Sequence, residues 1–308
     1  MTERTHFLPA QGVVTRPTAW RHLADYVTLT KPGITLMVML STLTGFVTAG
    51  TGPIRAESLL WAVLGTGLVS AGAATMNMLW ERREDGLMTR TKARPLPAGR
   101  LSSAEAFLVG LVCGAAGIAV LTFAVNPVAS LLSGLSFLLY VFAYTPLKKV
   151  SRGSVAVGAV CGAIPPLVGS AAAGHPFSAT AWTLFAVLFL WQYPHVAAIH
   201  FLQQSEFEKA GFVRLADNGT ARPWLAAFVL VPALGLALCG LLPAALHAGG
   251  ILLVAGGLIA AAILFARGFR FVAHRDRPSA RALFFATLAF LPGFFVLMMV
   301  DHALRFLR

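Results

Sequence analysis

The chain has 308 residues, 57% of them hydrophobic and only 12% charged, with a formal net charge of +12 and a mean hydropathy of +0.75. No soluble core absorbs that much apolar surface, so a soluble globule is excluded and an all-α, polytopic membrane bundle is expected. The three cysteines, each alone in an apolar stretch, lack metal-ligand spacing and read as packing residues.

Residues 1–33 are polar, carry Arg4, Pro9, Arg16, Pro17 and Arg21, and lack the apolar h-region of a secretory signal. They read as a cytoplasmic N-terminal arm, ahead of a single transmembrane domain over residues 34–308. The arm is not a clear amphipathic transit helix, which favours a bacterial inner membrane over a mitochondrial origin. Apolar stretches of about 20 residues, enough to cross a hydrocarbon core of about 30 Å, then recur. They run from Ile34 to Gly50, Ser58 to Asn77, Ala104 to Ala124, Pro127 to Tyr144, Val155 to Ala173, Thr180 to Phe201, Pro223 to Leu246, Gly250 to Phe269 and Ala282 to Val300, which makes nine.

Of the 24 Lys and Arg residues, 21 fall in the arm and in the even-numbered connections, and only Arg55, Arg305 and Arg308 fall on the other side. Short cytoplasmic loops carry the excess of basic residues, so the N-terminus is expected in the cytoplasm. The net charge thus describes one membrane face, suited to anionic lipid headgroups and anionic ligands rather than to nucleic acid. The connections after the second and sixth spans are long and polar, and suggest two halves of one site with a weak internal repeat.

The first long connection reads NMLWERREDGLMTRTKARPLPAGR, Asn77 to Arg100. Asn77, Glu81 and Asp85 stand at i, i+4 and i+8, within an arc of about 80° on a helix, so three oxygen-bearing side chains line one stripe. Such a row suits Mg²⁺, which takes a few carboxylates and completes its shell with water and substrate phosphate oxygens. Arg90, Lys92 and Arg94 follow, and guanidinium groups grip phosphate oxygens through paired hydrogen bonds. The residues alone also allow a solvated loop whose charges only set topology.

After the fourth span, YTPLKKVSRGS places Tyr144 and Lys148 one turn apart, with Lys148 able to reach the same anion; Lys149 and Arg152 read as topological charges. In the fifth span Gly158 and Gly162 permit close helix approach, and Pro165–Pro166 predicts a kink. The sixth span ends in WQYPHVAAIHFLQQSEFEKAG, with Gln192 and His195 inside it and Glu206 and Glu208 at or beyond its end. On a straight helix Glu206 lies about 16 Å beyond His195 on nearly the same stripe, and Pro194 is a source of bending. Polar groups inside a span mark site candidates, so His195 with Gln192 is one, against the alternative of a histidine bonded to a neighbouring helix. His200 reads as structural.

These motifs resemble the UbiA-type intramembrane prenyltransferases over most of the chain, from LTKPGITLMVMLSTLTG to ARALFFATLAF. The Asn-x-x-x-acid-x-x-x-Asp row with MTRTKARPLPAG, YTPLKK and GAIPPLVG carry the likeness. WQYPHV, followed by an acidic-aromatic pair and AG, points to the branch that modifies haem. The family usually has Asp at Glu81, a further Asp at Arg83, Arg at Gly33 and Asp-Tyr at Glu206–Phe207, so this chain departs at four places.

The resemblance implies transfer of a farnesyl group from farnesyl diphosphate to a vinyl group of haem B, with release of diphosphate. It implies that Asn77, Glu81, Asp85 and Glu206 bind Mg²⁺, that Arg90, Arg94 and Lys148 bind the diphosphate unless haem propionates take some of the arginines, that Tyr144 is substrate-binding, and that His195 with Gln192 orients haem, His195 as a candidate axial ligand. Membrane lipid is the surrounding partner, and a haem A synthase or terminal oxidase is a candidate protein partner. A prenyltransferase acting on a quinone precursor and a membrane transporter of an anionic solute are the competing readings.

Overall fold

The computed structural model describes residues 19–50, 54–216, 219–245 and 249–306, and every regular element among them is helical. Most of the expected arm (residues 1–18), the expected end of the seventh span at Leu246, and Arg308 lie outside the described residues. In chain order the helices are α1 (Ala19–Leu29), α2 (Pro32–Ala49), α3 (Ala56–Trp80), α4 (Arg82–Leu87), α5 (Ser103–Ala124) and α6 (Pro127–Leu138). A widened π turn over Leu139–Tyr144 leads into α7 (Thr145–Leu147), and α8 (Ser154–Ala163) is followed at once by α9 (Pro165–Ala172). The remainder are α10 (Ala179–Leu202), α11 (Gln204–Lys209), α12 (Arg222–Ala245), α13 (Ile251–His274) and α14 (Arg277–Phe306).

Local sequence sets several of these starts. Ser102 and Glu105 close a capping box at α5, Asn126 caps α6 ahead of Pro127, and the Ser178 hydroxyl caps α10. The widened turn precedes Pro146, whose ring has no N–H and crowds the carbonyl four residues back. The chain breaks between α8 and α9 at the Pro165–Pro166 pair, where a kink is expected.

Among the described residues nine helices or helix pairs are long and apolar enough to cross a membrane, matching the number read from the sequence. The second of them extends further than the apolar run suggests, to Trp80, so Asn77 lies inside its last turn. Each span packs on the next in chain order, from α2 on α3 round to α14, and α14 returns to α2, so the bundle closes into a ring. α9 and α10 also reach across to α2, and α2 and α9 approach closely enough that a Cβ on Gly169 would lie 2.0 Å from the Thr42 carbonyl oxygen. The outer surface is apolar, with Phe123, Leu131, Val231 and Ile251 among its most exposed residues, as lipid requires.

Part of the expected arm is ordered as α1. It is tied to the bundle by Arg100 bonding both oxygens of Asp25 and by the Tyr26 hydroxyl donating to Glu105 at 3.0 Å. The straight-helix alignment of His195 with Glu206 does not hold. α10 ends at Leu202, the backbone leaves the helical region at Gln203 with φ −113° and ψ 19°, and Glu206 belongs to the separate helix α11. Pro194, by contrast, is buried within an uninterrupted α10.

Candidate functional site

The acids of the first long connection stay on one stripe although their helix is interrupted. α3 ends at Trp80, Glu81 adopts φ −89° and ψ 9°, and α4 begins at Arg82. The i to i+4 bonds run through the joint, because Glu81 N donates to the Asn77 carbonyl at 3.0 Å and Asp85 N to the Glu81 carbonyl at 2.8 Å. Asn77, Glu81 and Asp85 are all buried.

A protein cation sits on each of them. Lys31 Nζ donates to Asn77 Oδ1 at 2.5 Å, Lys148 Nζ to Glu81 Oε1 at 2.7 Å, and Arg94 Nη1 to the two Asp85 oxygens at 2.9 and 2.7 Å. Asn77 Nδ2 donates to Thr145 Oγ1 at 2.9 Å, and that hydroxyl donates to the Tyr140 carbonyl. The amide is therefore held with its oxygen toward the cations. The Lys148 ammonium also stands 4.6 Å from the centroid of the Tyr144 ring, a cation–π distance. Tyr144 in turn rests over Gly158, where an added Cβ would come within 2.7 Å of its ring.

Charge and burial compete within this cluster. Burial pulls the Lys31 ammonium down to about 8, against the attraction of Glu81. Burial by itself would raise the Glu81 carboxyl, but Lys148 and Lys31 outweigh it and hold that group below the usual carboxylate range.

The second long connection closes on the first. Glu206 accepts a hydrogen bond from the Thr89 backbone N–H, a longer one of 3.4 Å from Thr89 Oγ1, and one of 3.0 Å from Lys209 Nζ. Lys209 holds the Glu206 carboxyl below its ordinary value, and Thr89 adds to the effect. Met88 packs against Phe207, Ala210 and Phe212 beneath these bonds, and Val213 N donates to the Lys148 carbonyl at 3.1 Å. Arg90 lies in the field of both Asp85 and Glu206. Asn77, Glu81, Asp85, Arg94, Tyr144 and Lys148 thus form one cluster, with Arg90 and Glu206 at its rim.

His195 and Gln192 lie apart from it, deeper in α10, roughly 10 and 15 Å from the helix end at Leu202. The Gln192 amide sits over Gly162 with a long contact of 3.5 Å to the Ala159 carbonyl. His195 is stacked between Trp191 and Phe284, with ring centroids 4.5 and 5.4 Å away. Its Nδ1 is 2.8 Å from Thr287 Oγ1, and that hydroxyl spends its proton on the Phe284 carbonyl at 2.6 Å. Oγ1 can then only accept, so Nδ1 carries the hydrogen and Nε2 keeps its lone pair. Beside the second connection a cavity of about 240 Å³ is lined by His200, Gln204, Phe207 and Arg214.

The donors fit magnesium in kind, since Asn77, Glu81 and Asp85 offer hard oxygens in a buried row. They do not form a closed cage: among the described residues no three His, Cys, Asp or Glu side chains converge. That suits an ion that brings water and phosphate oxygens as most of its shell. Three participants escape the sequence reading. Lys31 reads there as a topology charge, although a Lys-Pro pair at the mouth of a span is a signal. Thr145 lies inside the YTPLKK motif, and Thr287 is a polar residue in an apolar span.

The model of the UbiA prenyltransferase family matches residues 38–295. The chain belongs to that family. A protoheme IX farnesyltransferase of Solibacter usitatus is 33% identical over 292 residues, covering 91% of this chain and 99% of its own. Among solved structures, a digeranylgeranylglyceryl phosphate synthase superposes with a TM-score of 0.77 at 16% identity, over 92% of this chain and 99% of its own. A UbiA homolog from Archaeoglobus fulgidus bound to DMAPP and Mg²⁺ does so with a TM-score of 0.59 at 17% identity, over 90% and 99%. At those identities the structural likeness establishes the fold. This UbiA chain is a multi-pass membrane protein and a prenyl-transferring enzyme.

Proposed function

We propose that the protein is a protoheme IX farnesyltransferase of a bacterial inner membrane, with the basic end of the bundle and its active site toward the cytoplasm. The observation that carries the chemistry is the buried row of Asn77, Glu81 and Asp85 with Lys31, Lys148 and Arg94 bonded to it at one end of the bundle. Curated relatives of that activity, about one third identical along nearly their whole length, supply the substrate.

The reaction breaks the allylic C–O bond of farnesyl diphosphate, and the electron pair leaves with diphosphate. A vinyl carbon of haem B attacks the allylic cation, water adds to the second cation on the haem side, and a proton is lost. Asn77, Glu81, Asp85 and Glu206 would hold magnesium, which would supply charge neutralisation to the leaving diphosphate. Arg90, Arg94 and Lys148 bind its oxygens, because fixed positive charge stabilises most where the leaving group's negative charge grows. Tyr144 fixes Lys148 by its ring face. The closed ring of spans keeps water from the allylic cation until the vinyl carbon reaches it. His195, with Nδ1–H committed to Thr287, presents the Nε2 lone pair to haem iron, and Gln192 lies one turn away to orient the ring.

Purified protein incubated with farnesyl diphosphate, haem B and Mg²⁺ should yield a porphyrin heavier by a hydroxyethylfarnesyl increment, and EDTA should stop it. Recovery of unchanged haem B while a quinone precursor is prenylated would assign the protein to the quinone branch; haem uptake into vesicles without diphosphate release would make it a carrier.

A further inference from the structure

Lys31 is set apart from the other cations of the site by its backbone and by its partner. It joins α1 to α2 in the left-handed region, φ 47° and ψ 65°, directly before Pro32. A non-glycine residue there is strained, and such strain clusters at functional positions. Its Nζ reaches Asn77 Oδ1 at 2.5 Å. Asn77 is fully buried and its other amide atom is committed to Thr145, so the oxygen cannot turn away. Lys148 and Arg94 neutralise carboxylates, whereas Lys31 caps a neutral amide.

The charges around that amide do not cancel. Lys31, Lys148 and Arg94 face Glu81 and Asp85, which leaves one positive charge. A divalent cation arriving alone would raise it to three, against the repulsion of the like charges already there. The same cation arriving with a trianionic allylic diphosphate brings the cluster to neutrality.

We infer that Lys31 is a positioning residue that makes metal entry conditional on the diphosphate. Its ammonium occupies the amide oxygen before substrate binds and passes to a diphosphate oxygen when metal and diphosphate enter together. This rests on the magnesium-diphosphate reading above. Removing Lys31 strands no carboxylate, so its effect is separable from that of Lys148 or Arg94.

The test is binding of Mn²⁺ alone to the detergent-purified full chain, read from the EPR signal of the free ion. Lys31→Met should bind Mn²⁺ about ten-fold tighter than the wild type or more, and Lys31→Arg should match the wild type. Affinities that agree within about two-fold for Lys31→Met and wild type overturn the inference. If Lys31→Met does not fold, Lys31→Gly, which suits the left-handed backbone, takes its place with the same two outcomes. A parallel titration adds farnesyl thiodiphosphate: failure of the wild type to retain Mn²⁺ even then would refute the metal-diphosphate reading itself, independently of Lys31.

Discussion

Removing the Lys148 ammonium tests whether the acid row is held by paired charge. Glu81 is 7% exposed, and its Oε1 accepts from Lys148 Nζ at 2.7 Å, with the lysine side chain 22% exposed. Breaking a buried pair from one side costs about 3–5 kcal/mol, because the remaining charge is left without its partner. Lys31 also acts on Glu81 and offsets part of this, so Lys148→Met should lose about 2–3 kcal/mol. For a chain of this size that lowers the melting temperature by about 4–10 °C, read from tryptophan fluorescence in detergent. Pairing it with Glu81→Leu removes the stranded carboxylate, so the double variant should melt above Lys148→Met alone although neither releases diphosphate. A Lys148→Met protein that melts within about 1 °C of the wild type, or a double variant whose losses simply add, would refute the paired-charge account.

A Cβ at Gly169 would sit 2.0 Å from the Thr42 carbonyl oxygen and 2.7 Å from Phe46 N, both backbone atoms that cannot step aside. Gly169→Ala should therefore destabilise by about 1–3 kcal/mol or more in the same melting assay, and an unchanged melting point would mean that α2 and α9 are not in such contact. Thr287→Val keeps the shape but removes the acceptor that fixes His195, and should weaken the haem difference spectrum about ten-fold while Thr287→Ser preserves it; equal spectra in all three would separate His195 from haem. Lys31 titrates at about 8 in the folded chain against 10.5 for a free lysine. The unfolded state holds more protons between those values, so stability should climb as pH rises from 8 toward 10, and Lys31→Met should lack that climb.

What the sequence makes legible is what single stretches contain. The spans follow from apolar length, and the Asn77, Glu81 and Asp85 row follows from spacing, which survives the break at Glu81 because the backbone bonds bridge it. Which cation meets which acid is a property of pairs far apart in the chain. Lys31 and Asn77 are 46 positions apart, Lys148 and Glu81 67, and His195 and Thr287 92, and no local pattern encodes those meetings. Basic residues at this end serve topology and the site with the same sign of charge, so composition cannot sort Lys31 from Lys149. The bend that takes Glu206 off the His195 stripe is likewise invisible, since Gln203 carries no breaker signal; the proline that does, Pro194, leaves its helix intact.

The internal repeat suggested by the two long connections acquires a concrete form in the helices before them. α3 is interrupted at Glu81 and continues as the six-residue α4 with Asp85; α10 is interrupted at Gln203 and continues as the six-residue α11 with Glu206. The two short helices touch, and Thr89, two residues past α4, bonds Glu206. The backbone bonds run on to both joints, with Glu81 N bonding the Asn77 carbonyl and Gln203 N the Ile199 carbonyl, so neither interruption leaves the end of its span unpaired there. Asp85 beyond the first joint and Glu206 beyond the second thus come from corresponding places in the two halves, and Arg90 lies in the field of both. α10 also carries Gln192 and His195 within its span, apart from the cluster of acids at its end.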